Sequence, residues 1–191
     1  MKYSFLSNNF GFTFLELMTA VSIVVIVLSI SVINYKGSNK RAEVILWADK
    51  LVSDIRLMEN YALSVRTLND DSARNVWGIY LKIDSDNQGH YILFNDANDD
   101  KKYQSGEVYR DIMLPDKIII SNITGYYGST GKEAIEELSL AFVPPDPQVS
   151  IIKHNLPTRE YDKVVIELTD DLNGSHKEIT VNDFGLVEVT K

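Results

Sequence analysis

Residues 96–107 read Asp-Ala-Asn-Asp-Asp-Lys-Lys-Tyr-Gln-Ser-Gly-Glu. Counted from Asp96, oxygen-bearing side chains fall at positions one, three, five and twelve, as Asp96, Asn98, Asp100 and Glu107. Gln104 stands at position nine, and the Lys102 carbonyl is available at seven. This is the ligand spacing of a calcium loop, closed by a Glu that binds through both oxygens. Position six is Lys101, where the sharp turn of such a loop favours Gly. The flanking segments also read as strands and not helices. Two outcomes are expected: a structural calcium ion that orders the loop, or a solvated acidic hairpin. No cofactor is required by either.

Other reactive groups show no such spacing. His90, His154 and His176 lie far apart along the chain, without ligand spacing, and read as ordinary surface or half-buried histidines. No cysteine is present, which removes disulfides, thiolate metal sites and thiol nucleophiles. Residues 125–132 bring glycines before Lys132, but the Gly required five residues before Gly131 is Tyr126, so no phosphate loop results. That stretch reads as an exposed loop. No nucleophile elbow or dinucleotide fingerprint occurs, and a catalytic constellation is therefore not expected.

The remaining chemical oddity is Glu16. From 12 to 33 the chain reads FTFLELMTAVSIVVIVLSISVI, with Glu16 as its one charge. As a helix this stretch would be ~33 Å long, against ~30 Å for a bilayer core. A helix alone satisfies its own backbone there. A carboxylate placed at mid-bilayer costs about 2.5–3.5 kcal/mol, so its presence points to a role. Ser29-Ile30-Ser31 could serve as a secretory cleavage site, but the leader before the run is long and polar.

Charge is unevenly laid out. Lys2 and Glu16 cancel within residues 1–33, so the net charge of −8 sits on 34–191. An acidic body argues against nucleic acid as a partner. With 45% hydrophobic residues the chain is no disordered tail.

Past the apolar run, Val44, Ala48, Leu51, Ile55, Met58, Ala62 and Val65 recur at alternating intervals of four and three. This is the buried stripe of an amphipathic helix. Gly37-Ser38-Asn39 could loosen the join before it, and Asn69-Asp70-Asp71-Ser72 would end it. After residue 75 the period becomes two. Trp77, Ile79, Leu81 and Ile83 alternate with Val76, Gly78, Tyr80 and Lys82, and 84–89 makes a turn into 90–94. Further strands are expected at 108–114, 117–123, 137–143, 148–153, 163–169, 177–182 and 186–190. Turns fall at 171–175 and 182–185, and Pro144, Pro145 and Pro147 break the chain between two strands. The predicted class is α+β: a long N-terminal helix, membrane span plus amphipathic stalk, on an antiparallel β-sheet head.

The string Gly11-Phe12-Thr13-Phe14-Leu15-Glu16-Leu17 closely resembles the processing signal of type IV prepilins and type II secretion pseudopilins. The resemblance is sharp over residues 8–33. It implies cleavage after Gly11 by a prepilin peptidase, N-methylation of Phe12, and a subunit-assembly role for Glu16 at the fifth mature position. In that family the Glu pairs with the Phe amine of a neighbouring subunit. Ile33 and Val25 stand where major subunits often carry Pro and Gly, which fits a minor subunit better. The β-rich body is more diffusely similar to H-type minor pseudopilins and FimT-like minor pilins.

The resemblance implies a leader (1–11), an assembly helix (12–33), a stalk (34–70) and a head (76–191). It implies a non-enzymatic subunit, single-pass in the cytoplasmic membrane with its head outside the cytoplasm, then part of a pilus or pseudopilus. Implied partners are the prepilin peptidase, other pilin or pseudopilin subunits, the inner-membrane assembly platform and the membrane. The rival expectation is a membrane-anchored extracytoplasmic enzyme or ligand-binding module that uses the N-terminus only as an anchor.

Overall fold

A computed structural model of the chain describes residues 11, 13–64, 76–83, 89–144, 148–154, 159–172 and 174–190, with 31–41 described in backbone only. Most of the expected leader, Phe12, the stalk beyond Ser64, the 84–88 turn and Pro145 and Pro147 lie outside the described residues. The chain divides into two compact units, Met1–Asn39 and Lys40–Lys191.

Helix α1 runs Phe14–Leu63. Thr13 caps its start: the Leu17 N–H donates to the Thr13 carbonyl at 3.1 Å and the Glu16 N–H to Thr13 Oγ1 at 3.3 Å. In the first unit the apolar side chains of 14–30 are exposed on every side of the helix, from Val21 at 51% to Phe14 at 77%. Among the described residues no helix is long and apolar enough to cross a membrane. The described apolar side chains cover ~26 Å of helix. The expected span over 12–33 runs past them at both ends.

In the second unit the expected stripe is buried: Val44, Ala48, Leu51, Ile55, Met58 and Ala62 are all at most 1% exposed. Among the described residues ten strands follow: β1 Val76–Lys82, β2 His90–Asp96, β3 Val108–Met113, β4 Ile118–Tyr127, β5 Gly131–Ala134, β6 Glu137–Phe142, β7 Val149–Lys153, β8 Lys163–Asp170, β9 His176–Asn182 and β10 Val187–Thr190. They form two antiparallel five-stranded sheets, ordered β3-β2-β1-β6-β7 and β10-β9-β8-β4-β5. The head is therefore two sheets, where the sequence reading expected one. The chain moves between sheets after β3, β5 and β7. Side chains from both sheets and the stripe of α1 share one core, with Trp77, Leu93, Leu140, Ile123, Ile166 and Val181 all fully buried within it. Burial on this scale contributes roughly 1.5–3 kcal/mol per large apolar side chain.

Two expectations are corrected here. Residues 125–132 are not a loop. β4 continues to Tyr127, Gly128 turns the chain at φ 57°, and β5 begins at Gly131. A left-handed residue is what a tight hairpin requires, and glycine adopts it without strain. The second correction concerns β1, whose residues from Val76 to Leu81 are buried on both faces. Its even-numbered side chains join a smaller cluster of Val76, Tyr80, Ile92, Phe94 and Ala141, against which Tyr103 packs. Gly78 is paired with Phe94 in register, and a Cβ there would lie 2.5 Å from the Phe94 ring. The ring occupies the space a side chain would need.

Candidate functional site

Glu16 stands in the first turn of α1, exposed, where the unpaired N–H groups of a helix start favour a carboxylate. Thr13 and Glu16 occupy the first and last positions of a capping box, a local signal that the sequence reading did not use. The cap fixes the start of the helix immediately after Phe12. Gly11 is exposed and outside any helix or strand, as a peptide bond open to a protease must be. Phe12 lies outside the described residues, so its approach to Glu16 is not part of the geometry.

The acidic loop between β2 and β3 is built around Asp96, a 4% exposed carboxylate. Its Oδ1 accepts the N–H groups of Asn98 at 3.1 Å and Asp99 at 2.8 Å, and its Oδ2 that of Lys101 at 2.7 Å. Asn98 Oδ1 accepts the Asp100 N–H, and Asp100 Oδ1 the Lys102 N–H. Glu107 reaches back from the far end: its two oxygens accept the N–H groups of Ala97 at 3.0 Å and Gln104 at 2.8 Å. The structure thus brings the four residues of the calcium spacing into one hydrogen-bonded loop. Asp99 and Lys101 take the left-handed conformation, with φ 61° and 63°. Lys101 thereby adopts the turn that position six demands, without the glycine. Burial pushes the Asp96 carboxyl above its ordinary value, while the Lys101, Asp99 and Asn98 N–H groups pull it back and Asp100 adds to the rise. Among the described residues no three His, Asp or Glu side chains converge as a metal-holding group. An ion would have to draw these oxygens together.

Sequence reasoning missed three polar constellations. The first is Asp54, which lies off the apolar stripe yet is 4% exposed. It accepts the Tyr91 hydroxyl at 2.6 Å and the Lys50 ammonium at 2.6 Å. Burial, with Asp54 adding to it, holds the Tyr91 phenol far above its ordinary value. The pair ties α1 to β2.

The second constellation links the two sheets. Glu133 on β5 accepts the Tyr161 hydroxyl and faces Lys153 of β7 at 3.2 Å and Arg159 at 3.6 Å. The Tyr161 hydrogen bond, followed by Lys153, holds the Glu133 carboxyl below its usual range. Arg159 also stacks over the Tyr127 ring at 4.0 Å. These are local, mutually satisfied charges and leave no reactive group poised.

The third is a Ser–His pair on the outer face of the first sheet. Ser139 is fully buried on β6. Its Oγ accepts the Tyr103 N–H at 3.1 Å and lies 2.6 Å from His154 Nε2. A buried hydroxyl beneath the Tyr103 main chain is closed to a substrate, so the pair cannot work as a nucleophile and its base. His176 lies elsewhere, with Nδ1 3.5 Å from the Gly174 carbonyl oxygen, and His90 starts β2. The three histidines are thus apart, as their spacing implied.

Comparison of the chain with family models, with curated proteins and with solved structures gives no match.

Proposed function

We propose that this chain is a minor pilin or pseudopilin: a structural subunit, not an enzyme. It is made as a precursor in the cytoplasmic membrane, cut after Gly11 and methylated on Phe12. It then polymerises through its N-terminal helix with the head outside the cytoplasm. The observation that carries this reading is the exposed Gly11 placed just before a Thr13-capped helix, apolar on all sides, with Glu16 in its first turn. A helix apolar all round is stable only when lipid or other protein covers it. In this reading 12–33 is the membrane span, later the packed centre of the filament. The prepilin peptidase, the assembly platform and other subunits are the partners. The test is intact mass and N-terminal sequencing of the protein from its host. N-methyl-Phe at residue 12 is the expected result; a mature chain starting at Met1 or Val32 would refute the proposal.

A second reading concerns the acidic loop, and the left-handed Lys101 at position six favours it. Calcium would seat among Asp96, Asn98, Asp100 and Glu107 and order the loop, with no part in catalysis. Millimolar calcium is expected to raise the melting temperature of the full chain in detergent, and Glu107→Ala to abolish that rise. An unchanged melting temperature in the unaltered protein would leave only the self-bonded hairpin.

A further inference from the structure

The second sheet turns one face into the core and the other outward. Val164, Ile166 and Leu168 of β8, with Ile179 and Val181 of β9, belong to the core. The residues that alternate with them share the outer face, and strand register sets them in rows. In one row Lys132 of β5 and Lys163 of β8 stand on either side of Tyr126 of β4. The next row holds Thr124, Val165 and Thr180, with Glu188 of β10 at its end. In the third row Glu167 of β8 stands opposite Glu178 of β9. All of these side chains are exposed or half-buried.

The face is therefore basic at one end and acidic at the other. Lys163 and Glu167 are four residues apart on β8, about 13 Å along the strand. Lys163 lies over the Tyr126 ring, its Nζ 4.4 Å from the ring centre. Asp162, next to Lys163, is turned to the Gly128 N–H at 2.7 Å. Among the described residues, the ion pairs all lie elsewhere: Lys132, Lys163, Glu167, Glu178 and Glu188 take part in none. Glu167 directly opposite Glu178 is a like-charge pair, which opposes the pairing of β8 with β9. Cations brought from outside would offset that repulsion.

We propose that the outer face of the second sheet is a self-complementary contact between two copies of this chain. A two-fold axis through Val165 exchanges the charged rows. Lys163 of one copy then lies over Glu167 of the other, and Lys132 beside the other copy's Glu178 and Glu188. The same contacts repeat on the far side of the axis. The middle row of Thr124, Val165 and Thr180 carries only short, β-branched side chains. Two sheets can meet there at about 10 Å, which lysine and glutamate side chains span. Copies facing each other with their strands turned the same way would set like charges together, so charge selects the two-fold arrangement. The face is about 20 Å on a side, which makes this a small, weak contact that forms where copies are concentrated.

The test uses the absence of cysteine from the chain. Val165→Cys places one thiol at the axis, and a short bis-maleimide applied to the full chain in detergent is expected to give a cross-linked dimer. Two charge-reversed forms of that variant are then compared. Lys132→Glu with Lys163→Glu makes the face acidic throughout, and Glu167→Lys with Glu178→Lys makes it basic throughout. Each alone is expected to lose at least tenfold in dimer, because like charges now meet at both ends of the face. An equal mixture of the two should restore the dimer, and its mass should be that of one copy of each. Raising the salt to about 0.5 M should weaken cross-linking of the form with unreversed charges. This measurement stands even if a reversed form fails to fold. Association through the apolar N-terminal helix would be indifferent to these reversals. Equal cross-linking in every form, no dimer with the original charges, no recovery on mixing folded forms, or no response to salt would each overturn the proposal.

Discussion

Glu16→Ala is expected to abolish incorporation into filaments, by tenfold or more, while cleavage after Gly11 proceeds as before. The reason lies in where the residue sits. Cleavage would leave a positive α-amine on Phe12, four residues before Glu16 in the sequence. In the dry interior of a packed bundle that amine and a neighbour's carboxylate would attract far more strongly than in water. Glu16 has a competing local role, because a carboxylate in the first turn also stabilises the helix start. Glu16→Gln separates the two. It keeps the shape and some hydrogen bonding but removes the charge, and is expected to fail at assembly as the alanine variant does. Recovery with glutamine would assign the residue to capping alone. Thr13→Ala, which removes the cap, should cost only about 1 kcal/mol of helix stability. The measurements are the amount of subunit in sheared filaments and the mass of the processed chain.

Asp54→Ala carries the largest expected effect on stability. It leaves the buried Tyr91 hydroxyl without its acceptor and the Lys50 ammonium without its counter-charge. Removing one partner of such a contact costs about 2–4 kcal/mol. For a domain of this size that corresponds to a fall of roughly 5–15 °C in melting temperature. The Lys50 side chain is 43% exposed, so Lys50→Ala should cost at most about 1 kcal/mol. The tyrosine is the decisive partner. Combining Asp54→Leu with Tyr91→Phe removes both polar groups and should recover most of the loss. Thermal unfolding followed by circular dichroism decides the matter. A shift below about 2 °C for Asp54→Ala would show that water reaches the tyrosine.

Local order in this chain follows directly from its residue types. The alternation of four and three from Val44 to Ala62 marks the buried stripe of α1, because a helix turns 3.6 residues and only one face meets the core. The period-two runs become β1, β2 and the later strands, and the turns at Gly174 and Gly185 hold left-handed glycines, with φ 64° and 79°. The calcium spacing at 96–107 also becomes one ordered loop, since its hydrogen bonds join residues close in sequence.

What stayed hidden depends on contacts between distant segments. Tyr91 and Asp54 are 37 residues apart, and no pattern in either segment announces that a buried carboxylate waits for a phenol. The same holds for Tyr103 and Ser139, 36 residues apart. The reading of 125–132 as a loop failed because glycines and tyrosines fit a turn and an edge strand equally well. Pairing with β8 decided between them, with Tyr126 opposite Lys163.

The sequence alone therefore determined the helix stripe, the strand segments and the acidic loop, each of which is written in residues close together along the chain. Only the tertiary structure decided that the ten described strands form two sheets, that β1 is buried on both faces, and that His154 meets Ser139 beneath Tyr103. Strand order and register are set by the joint burial of side chains from far-separated segments, a quantity that exists only once the chain has closed on itself.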